Sequence, residues 1–563
     1  MEFENMILGR DIIIEILKTE NVRYIFGNPG TTELSLIDRI IRECDLEYVL
    51  ALQEASALGM ADGYARATNR PAFVNLHASA GLGNAMGALT NAAYMHSPLV
   101  VTAGQQDYRH IVDDPWLSGD LVGMAKPFTK WAHEIRTVDE IGPVLRRAFK
   151  DANTHPKGPV FLSLPFHFMD EPSSSPIPAK SHVYDLPLAV GMDLLADSLL
   201  DCGPSEIAVI ACDEISRADA LTEVVTIVEK LGCDVFGAPV HDSVVFPTSH
   251  PLWVSMMSPS AEEIRELLEP YKKVFVIGDR GFMGLIYSGS PIPEHTEILH
   301  LSADSSTVAY TYETSGGFVG NIKASLERLD DYLGERVTAK VRLEERERAR
   351  REEDQTNIER VQAQMTRKPM HPETAAYYIA SSIQDDAIIV EEAPSMGVYL
   401  RKYIKTSKRL QYNFSKGGGL GWAMPAAVGI ALSERQSKTI CIVGDGAAMY
   451  SPQAIWTAAH KKLSMTFIVA NNSEYGILKN FLRGHYPNQG EERFIGMDIS
   501  DPAVNFIALA ASMGVHAIKI DDPQCIPEAV REANDHSGVS LIEITVAPSV
   551  EHSNTPQAAN YQE

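Results

Sequence analysis

The apolar residues of this chain come in short runs that do not alternate with polar ones. Thr439-Ile440-Cys441-Ile442-Val443, Met465 to Ala470, Ile207 to Ile210, Val274 to Gly278 and Ile298 to Leu301 are almost uninterrupted. A strand with one wet face alternates, so runs of this kind predict parallel strands buried on both faces. Further apolar strands are expected to end at Phe26, Leu76, Ala103 and Leu164, with helical segments between them. This alternation marks three α/β blocks and predicts three doubly wound parallel-sheet domains.

The first block covers residues 1–171 and opens on an amphipathic helix carrying Leu8, Ile12, Ile13, Ile16 and Leu17. Residues 172–189 begin Pro172-Ser173-Ser174-Ser175-Pro176-Ile177-Pro178 and read as an extended linker. The second block covers 190–334. Residues 335–370 follow with a dense run of Glu and Arg, expected to form a solvated helical connector, with partner binding as the lesser alternative. The third block covers 371–548, and a polar tail occupies 549–563.

A chain of 563 residues with 45% hydrophobic content allows each domain a sizeable core. The formal net charge of −25 argues against nucleic acid or an anionic membrane as a partner. No uninterrupted apolar segment reaches about 18 residues, so no membrane span is expected. The six cysteines show no CxxC and no close pairing, which suits a reducing cytoplasm better than a disulfide framework. The N-terminus lacks the basic start and long apolar core of a signal peptide.

The candidate chemistry begins at Gly444-Asp445-Gly446, followed after 24 intervening residues by Asn471-Asn472. Both clusters sit where an apolar strand ends, the edge at which open α/β sheets bind ligands. One helix is expected between them, capped by Ser451 with Pro452 at its first position. Asp445 can supply a carboxylate and Asn472 a side-chain carbonyl to Mg²⁺, with Ca²⁺ as an alternative, and the cation would share its shell with a diphosphate. Gly444 and Gly446 let the backbone approach the phosphates. The turn Gly278-Asp279-Arg280-Gly281 is too short of a dinucleotide fingerprint to argue for NAD or FAD.

This spacing resembles the thiamin diphosphate signature, and the resemblance extends over nearly the whole chain. Phe26-Gly27-Asn28-Pro29-Gly30, Ala51-Leu52-Gln53-Glu54-Ala55, Asn75-Leu76-His77, Gly83-Asn84-Ala85-Met86-Gly87, Thr102-Ala103-Gly104-Gln105-Gln106 and Gly418-Gly419-Leu420-Gly421 are similar to the thiamin diphosphate-dependent 2-oxo acid decarboxylases of the benzoylformate decarboxylase type. Acetolactate synthase-like enzymes are the second likeness. The family implies a pyrimidine-binding domain first, a central domain without cofactor, and a diphosphate-binding domain last. It also implies a homo-oligomer, with a dimer as the minimum and a tetramer as the usual state, because Glu54 of one chain serves cofactor held by its neighbour's Asp445.

Carried over residue by residue, the resemblance makes Asp445, Asn472 and the backbone of Glu474 the metal ligands. Ser395, Gly446, Tyr475 and Gly476 fall at the diphosphate, Asn28, Pro29 and Gly30 at the cofactor, and Glu54 beside the pyrimidine ring. Leu420 matches the apolar residue that bends the cofactor, and Gly418 the carbonyl that receives its amino group. Thr31 stands where a serine binds the substrate carboxylate, and His77 is a candidate proton carrier near neutral pH.

The substrate pocket departs from the pattern: Trp116 and Leu117 match two leucines, Pro394 a threonine, Ile477 an alanine, while Phe481 keeps the aromatic wall. Ile477 narrows the space and favours aliphatic over aryl acids. Leu285 stands in place of a second histidine, which removes one proton relay from the last step. The expected activity is decarboxylation of a small 2-oxo acid to an aldehyde. Carboligation with an acceptor aldehyde is the alternative, and a catalytically silent thiamin-fold binding protein the remote one.

Overall fold

The computed structural model describes residues 6–43, 45–181, 183, 186–335, 339–433, 437–486 and 493–548. The polar tail expected at 549–563 lies outside these residues, as does Cys44.

Three six-stranded sheets, each parallel throughout, carry the chain. The first block begins with α1 (Gly9–Thr19) and adds α2 (Glu54–Thr68) and α3 (Ala78–Tyr94). Its strands are β1 (Tyr24–Gly27), β2 (Glu47–Leu50), β3 (Ala72–Leu76), β4 (Leu99–Gln105), β5 (Ala132–Glu134) and β6 (Val160–Pro165), in the order β2-β1-β3-β4-β6-β5. The second sheet runs β9-β8-β7-β10-β11-β12, from β7 (Ile207–Ala211), β8 (Asp234–Gly237), β9 (Trp253–Met256), β10 (Lys273–Ile277), β11 (Glu297–Ser302) and β12 (Gly316–Val319). The third repeats the topology of the first: β13 (Ile388–Glu392), β14 (Tyr412–Phe414), β15 (Thr439–Gly444), β16 (Met465–Asn471), β17 (His516–Ile520) and β18 (Val539–Thr545) lie in the order β14-β13-β15-β16-β18-β17.

Each sheet is buried on both faces, which is why its inner strands show no alternation. In β1, Tyr24 and Phe26 enter one core and Ile25 the other. In β15, Cys441 and Val443 face one core while Ile440 and Ile442 face another. A fully buried side chain of this size contributes roughly 1.5–3 kcal/mol, so the continuous runs are where the stability of the sheets resides. The first and third sheets share the core between them, where α2 packs against a helix of the third block over Leu58, Ala61, Ala65, Ala427 and Val428.

The connector is a helix, α4 (Ala339–Ala363), and most of its described side chains are exposed, while a few arginines anchor it. Arg342 and Arg346 both reach the buried carboxylate of Asp234. Arg350 donates to the carbonyls of Thr248 and His250, and Arg360 to Glu373. One face of this polar helix is thus pinned by guanidinium groups, with Leu343 packed on the second-block core and Val361 buried. The chain start and the linker also meet, since Ile7–Leu8 pairs antiparallel with Pro172–Ser173.

The third block continues with α5 (Pro394–Tyr403), α6 (Ala423–Leu432), α7 (Gln453–His460) and α8 (Gly476–His485). Here the single helix expected between the two polar clusters is corrected to two pieces, a turn at Asp445–Ala448 and then α7. The cap of α7 is Pro452, and the Ser451 side chain makes no capping bond. Because the first turn begins at the strand end itself, residues 449–452 are used as the link between the two pieces.

Candidate active site

Strands β15 and β16 are neighbours in register, with Gly444 opposite Ala470, so their ends deliver Asp445 and Asn472 side by side. The Asp445 carboxylate is buried and accepts the N–H groups of Gly446 at 2.8 Å and Ser473 at 2.6 Å. Burial pushes its carboxyl up to about 6, against the opposing pull of these donors. Ser473, directly after Asn472, holds φ at +57°, a conformation that costs a non-glycine residue about 1–3 kcal/mol and recurs at functional sites.

Whether these groups fit a cation and a diphosphate can be judged at Gly476. A Cβ there would stand 2.8 Å from Asn472 Nδ2, 3.2 Å from Glu474 Oε1 and 3.3 Å from Ser395 Oγ, so three polar side chains converge on a cradle that only glycine leaves open. One buried carboxylate beside an amide and a hydroxyl is a hard oxygen donor set suited to a cation that shares its shell with phosphate. Lys479, which sequence reading missed, holds the Glu474 carboxylate at 2.5 Å and Asp498 at 2.5 Å, fixing the segment in place.

The second half lies at the strand ends of the first sheet. Gln53 caps α2 by accepting the Ser56 N–H at 3.0 Å, which places Glu54 in the first turn. The Glu54 carboxylate is buried and receives the side-chain amides of Asn28 at 3.2 Å and Asn84 at 3.0 Å. His77 caps α3, and its Nδ1 lies 3.0 Å from Glu33 Oε2 and 3.2 Å from Thr32 Oγ1. Its pKa is raised above the ordinary imidazole value, chiefly by the hydrogen bond to Glu33. A carboxylate can only accept, so Nδ1 carries the proton and Nε2 is the nitrogen left for chemistry.

Glu33 and Thr32 were not legible as site residues. Glu33 also accepts the Gly30 N–H at 3.0 Å, and a Cβ on Gly30 would collide with the His77 ring at 2.2 Å. Asn28-Pro29-Gly30 is therefore built to let His77 reach Glu33. Thr31 opens the short turn after it and is exposed. Ala78, following His77, holds φ at +47°, matching the strain found beside Asn472.

Between the halves runs the segment from Lys416 to Gly421. Asn91 of α3 grips Gly419 from both sides, donating to its carbonyl at 2.8 Å and accepting its N–H at 2.9 Å. Glu392 accepts the N–H groups of Gly421, Trp422 and Ala423 at 3.1 to 3.4 Å, and burial pushes its carboxyl up to about 8. Gly418 sits at φ +77°, and among the described residues its carbonyl has no partner. Neither Asn91 nor Glu392 was anticipated from the sequence.

The expected pocket residues fall on all three blocks. Trp116 and Leu117 follow β4 in the first, where Ser79 donates to the Leu117 carbonyl, and Trp116 is 87% exposed. Leu285 lies on the loop after β10 and is 79% exposed. Pro394 opens α5, while Ile477 and Phe481 share a face of α8. Leu420, Met449, Tyr450, Ile477, Leu478 and Phe481 together leave apolar surface open around the strand ends of the third sheet.

Three family models match the chain: the N-terminal TPP binding domain of thiamine pyrophosphate enzymes over residues 7–128, their central domain over 205–329, and their C-terminal TPP binding domain over 393–544. The chain is 32% identical to benzoylformate decarboxylase of Pseudomonas aeruginosa over 540 residues, 94% of this chain and 97% of the relative. It is 24% identical to the acetolactate synthase large subunit of Lactococcus lactis over 570 residues, 98% and 94% of the two. Its fold matches the crystal structure of benzoylformate decarboxylase from Polynucleobacter necessarius with a TM-score of 0.86 at 27% identity, covering 97% of this chain and 99% of the other. The 4-hydroxybenzoylformate decarboxylase of Rhodococcus jostii RHA1 gives 0.85 at 27% identity, covering 97% and 100%. With a matched model on each of the three sheets, together covering more than half of the chain, the chain belongs to the thiamine pyrophosphate enzyme family.

Proposed function

We propose that this enzyme decarboxylates a small 2-oxo acid to the corresponding aldehyde and CO₂. The observation that supports this best is the presence of two half-sites: Glu54 held by two amides, and Asp445 at the end of β15 beside the cradle at Gly476 formed by Asn472, Glu474 and Ser395. Asp445, Asn472 and the backbone carbonyl of Glu474 would hold Mg²⁺, with Gly444, Gly446, Tyr475 and Gly476 around the diphosphate. When bound, thiamin diphosphate supplies the carbon nucleophile and the electron sink for loss of CO₂. Glu54 then holds a proton on its carboxylate toward the pyrimidine nitrogen, and Asn28 and Asn84 keep it aimed. The Gly418 carbonyl and Leu420 orient the ring, the Thr31 hydroxyl donates to the substrate carboxylate, and His77 Nε2 carries protons.

The two halves would complete each other across a dimer, with a tetramer as the fuller assembly. The apolar surface left open around Leu420, Tyr450 and Phe481 supports this, since patches of this kind mark contact with another chain. The test is a panel of aliphatic and aryl 2-oxo acids assayed with the holoenzyme for CO₂ and product by mass spectrometry. Turnover without an acceptor aldehyde is expected. No CO₂ from any member overturns the reading. Asp445→Ala is expected to lose thiamin diphosphate on gel filtration even with Mg²⁺ present.

A second reading, carboligation, is favoured by one observation. The loop after β10 offers Leu285 and the exposed Tyr287 where a proton-donating histidine would stand, and His295 is turned to the Glu269 carbonyl at 3.0 Å. Product that is mostly 2-hydroxy ketone when an aldehyde is supplied would establish it.

A further inference from the structure

Lys416 lies two residues before Gly418, yet its side chain leaves the third block. Its ammonium sits 2.9 Å from Asp213 Oδ2, 3.3 Å from Asp279 Oδ2 and 3.6 Å from Asp242 Oδ2, and all four side chains are buried. The aspartates stand at the carboxyl ends of the middle sheet: Asp213 after β7, Asp279 after β10, Asp242 in the loop after β8. Strand order reverses between β7 and β10, and that is the crevice in which an open α/β sheet ordinarily takes a ligand. Here a lysine of another block fills it.

The clamp is balanced and shared by all three blocks. Arg217 pairs with Asp279 at 2.6 Å, and Arg66, from α2, donates to Asp242 Oδ1 at 2.8 Å. Asp213 is further fixed by the N–H groups of Asp242 and Ser243 and the hydroxyl of Ser243, at 2.8 to 3.1 Å. Phe414 donates its N–H to the Asp242 carbonyl at 3.0 Å, so the strand leading into Lys416 is tied to the same loop. Three cations facing three aspartates could serve cohesion alone. What points further is where the lysine sits in sequence. The Lys416–Gly421 segment is held in its middle by Asn91 and at its end by Glu392, and Lys416 is the restraint at its start.

We propose that Lys416 is a positioning residue, whose clamp on Asp213, Asp242 and Asp279 sets the Gly418 carbonyl and Leu420 against the cofactor ring. The middle block thereby gains a part in catalysis without touching the cofactor. This rests on the function proposed above, and the experiment separates the two.

Lys416→Met, which keeps length and removes charge, is compared with Asp213→Asn and Asp279→Asn, which each remove one negative charge and keep shape. Thiamin diphosphate affinity is measured by titration calorimetry, C2 hydrogen exchange of the bound cofactor by NMR after acid quench, and kcat and KM separately. The variants are expected to bind cofactor within about threefold of wild type, to slow exchange at least tenfold, and to lower kcat with little change in KM. A loss of cohesion alone would lower the melting temperature and leave exchange unchanged below it. Exchange at the wild-type rate in Lys416→Met overturns the proposal. If Lys416→Met does not fold, the same result in both aspartate variants overturns it. Wild-type protein that binds no thiamin diphosphate would instead refute the functional reading itself.

Discussion

The Nδ1 of His77 is committed to Glu33, so the charge state of this imidazole at neutral pH depends on a carboxylate 44 positions earlier in the chain. Because the folded pKa is raised, the pair contributes stability that is fully present below about pH 6.5 and is lost as pH rises through the folded value. Glu33→Gln keeps the shape and removes the charge. It is expected to lower the His77 pKa, moving both its NMR titration and the corresponding limb of the kcat/KM profile to lower pH; an unmoved titration would show that Glu33 does not set the value. Glu54→Gln probes the same half at its cofactor end. Its amide cannot hold the proton, so C2 exchange of bound cofactor should slow by about 10²-fold while cofactor stays bound, as followed by acid-quench NMR. The legible residues were those whose chemistry is written in contiguous motifs: Asp445 within Gly-Asp-Gly, Asn472 within Asn-Asn, Glu54 within an apolar stretch. Glu33, Asn91 and Lys479 act through partners set by the fold, and no spacing along the chain announces them.

At the scale of elements, the inner strands were readable because both their faces are dry, which writes them as unbroken apolar runs. The edge strand β17 has no such signature: His516, Ala517, Ile518, Lys519 and Ile520 are all exposed or half-buried. The α7 start misled for a related reason, since Ser-Pro is a good helix opening in isolation but here belongs to the link after the Asp445 turn. Helix α4 was legible as a helix and not as an anchor, because an Arg-rich face gives no sign of which guanidinium will find a buried carboxylate. Its attachment is testable. Asp234 is buried and accepts the Tyr271 hydroxyl at 2.8 Å, Arg346 Nε at 2.8 Å and Arg342 Nη2 at 3.0 Å. Either arginine can compensate for the other, so Arg342→Ala alone is expected to cost about 1 kcal/mol. The double variant with Arg346→Ala strands a buried charge, at about 3–5 kcal/mol. Denaturant unfolding of the two singles and the double checks this, and strictly additive losses would count against a shared carboxylate.

On the scale of the whole molecule, the first and third sheets have the same strand order and share one core, and the hydrogen bonds of Glu54 and His77 described above stay in the first block. The shared face is occupied by α2 and α6, which hold the two sheets together. Under the function proposed above, a second copy would let each third-block end, with Leu420 and Tyr450 exposed, receive a first-block end carrying Glu54. This makes a prediction that single-site variants do not. Glu54→Gln and Asp445→Ala proteins, each inactive as a homodimer, are mixed, dissociated and reassembled. In the mixed dimer one site joins both lesions and the other joins intact Glu54 to intact Asp445. Random pairing makes about half of the dimers mixed with one good site in two, so activity should recover to about a quarter of wild type. A site formed within one chain would recover nothing, because every chain would still carry its own lesion. Recovery near a quarter, proportional to the mixed dimer resolved by native mass spectrometry, therefore locates the reaction between subunits rather than inside one.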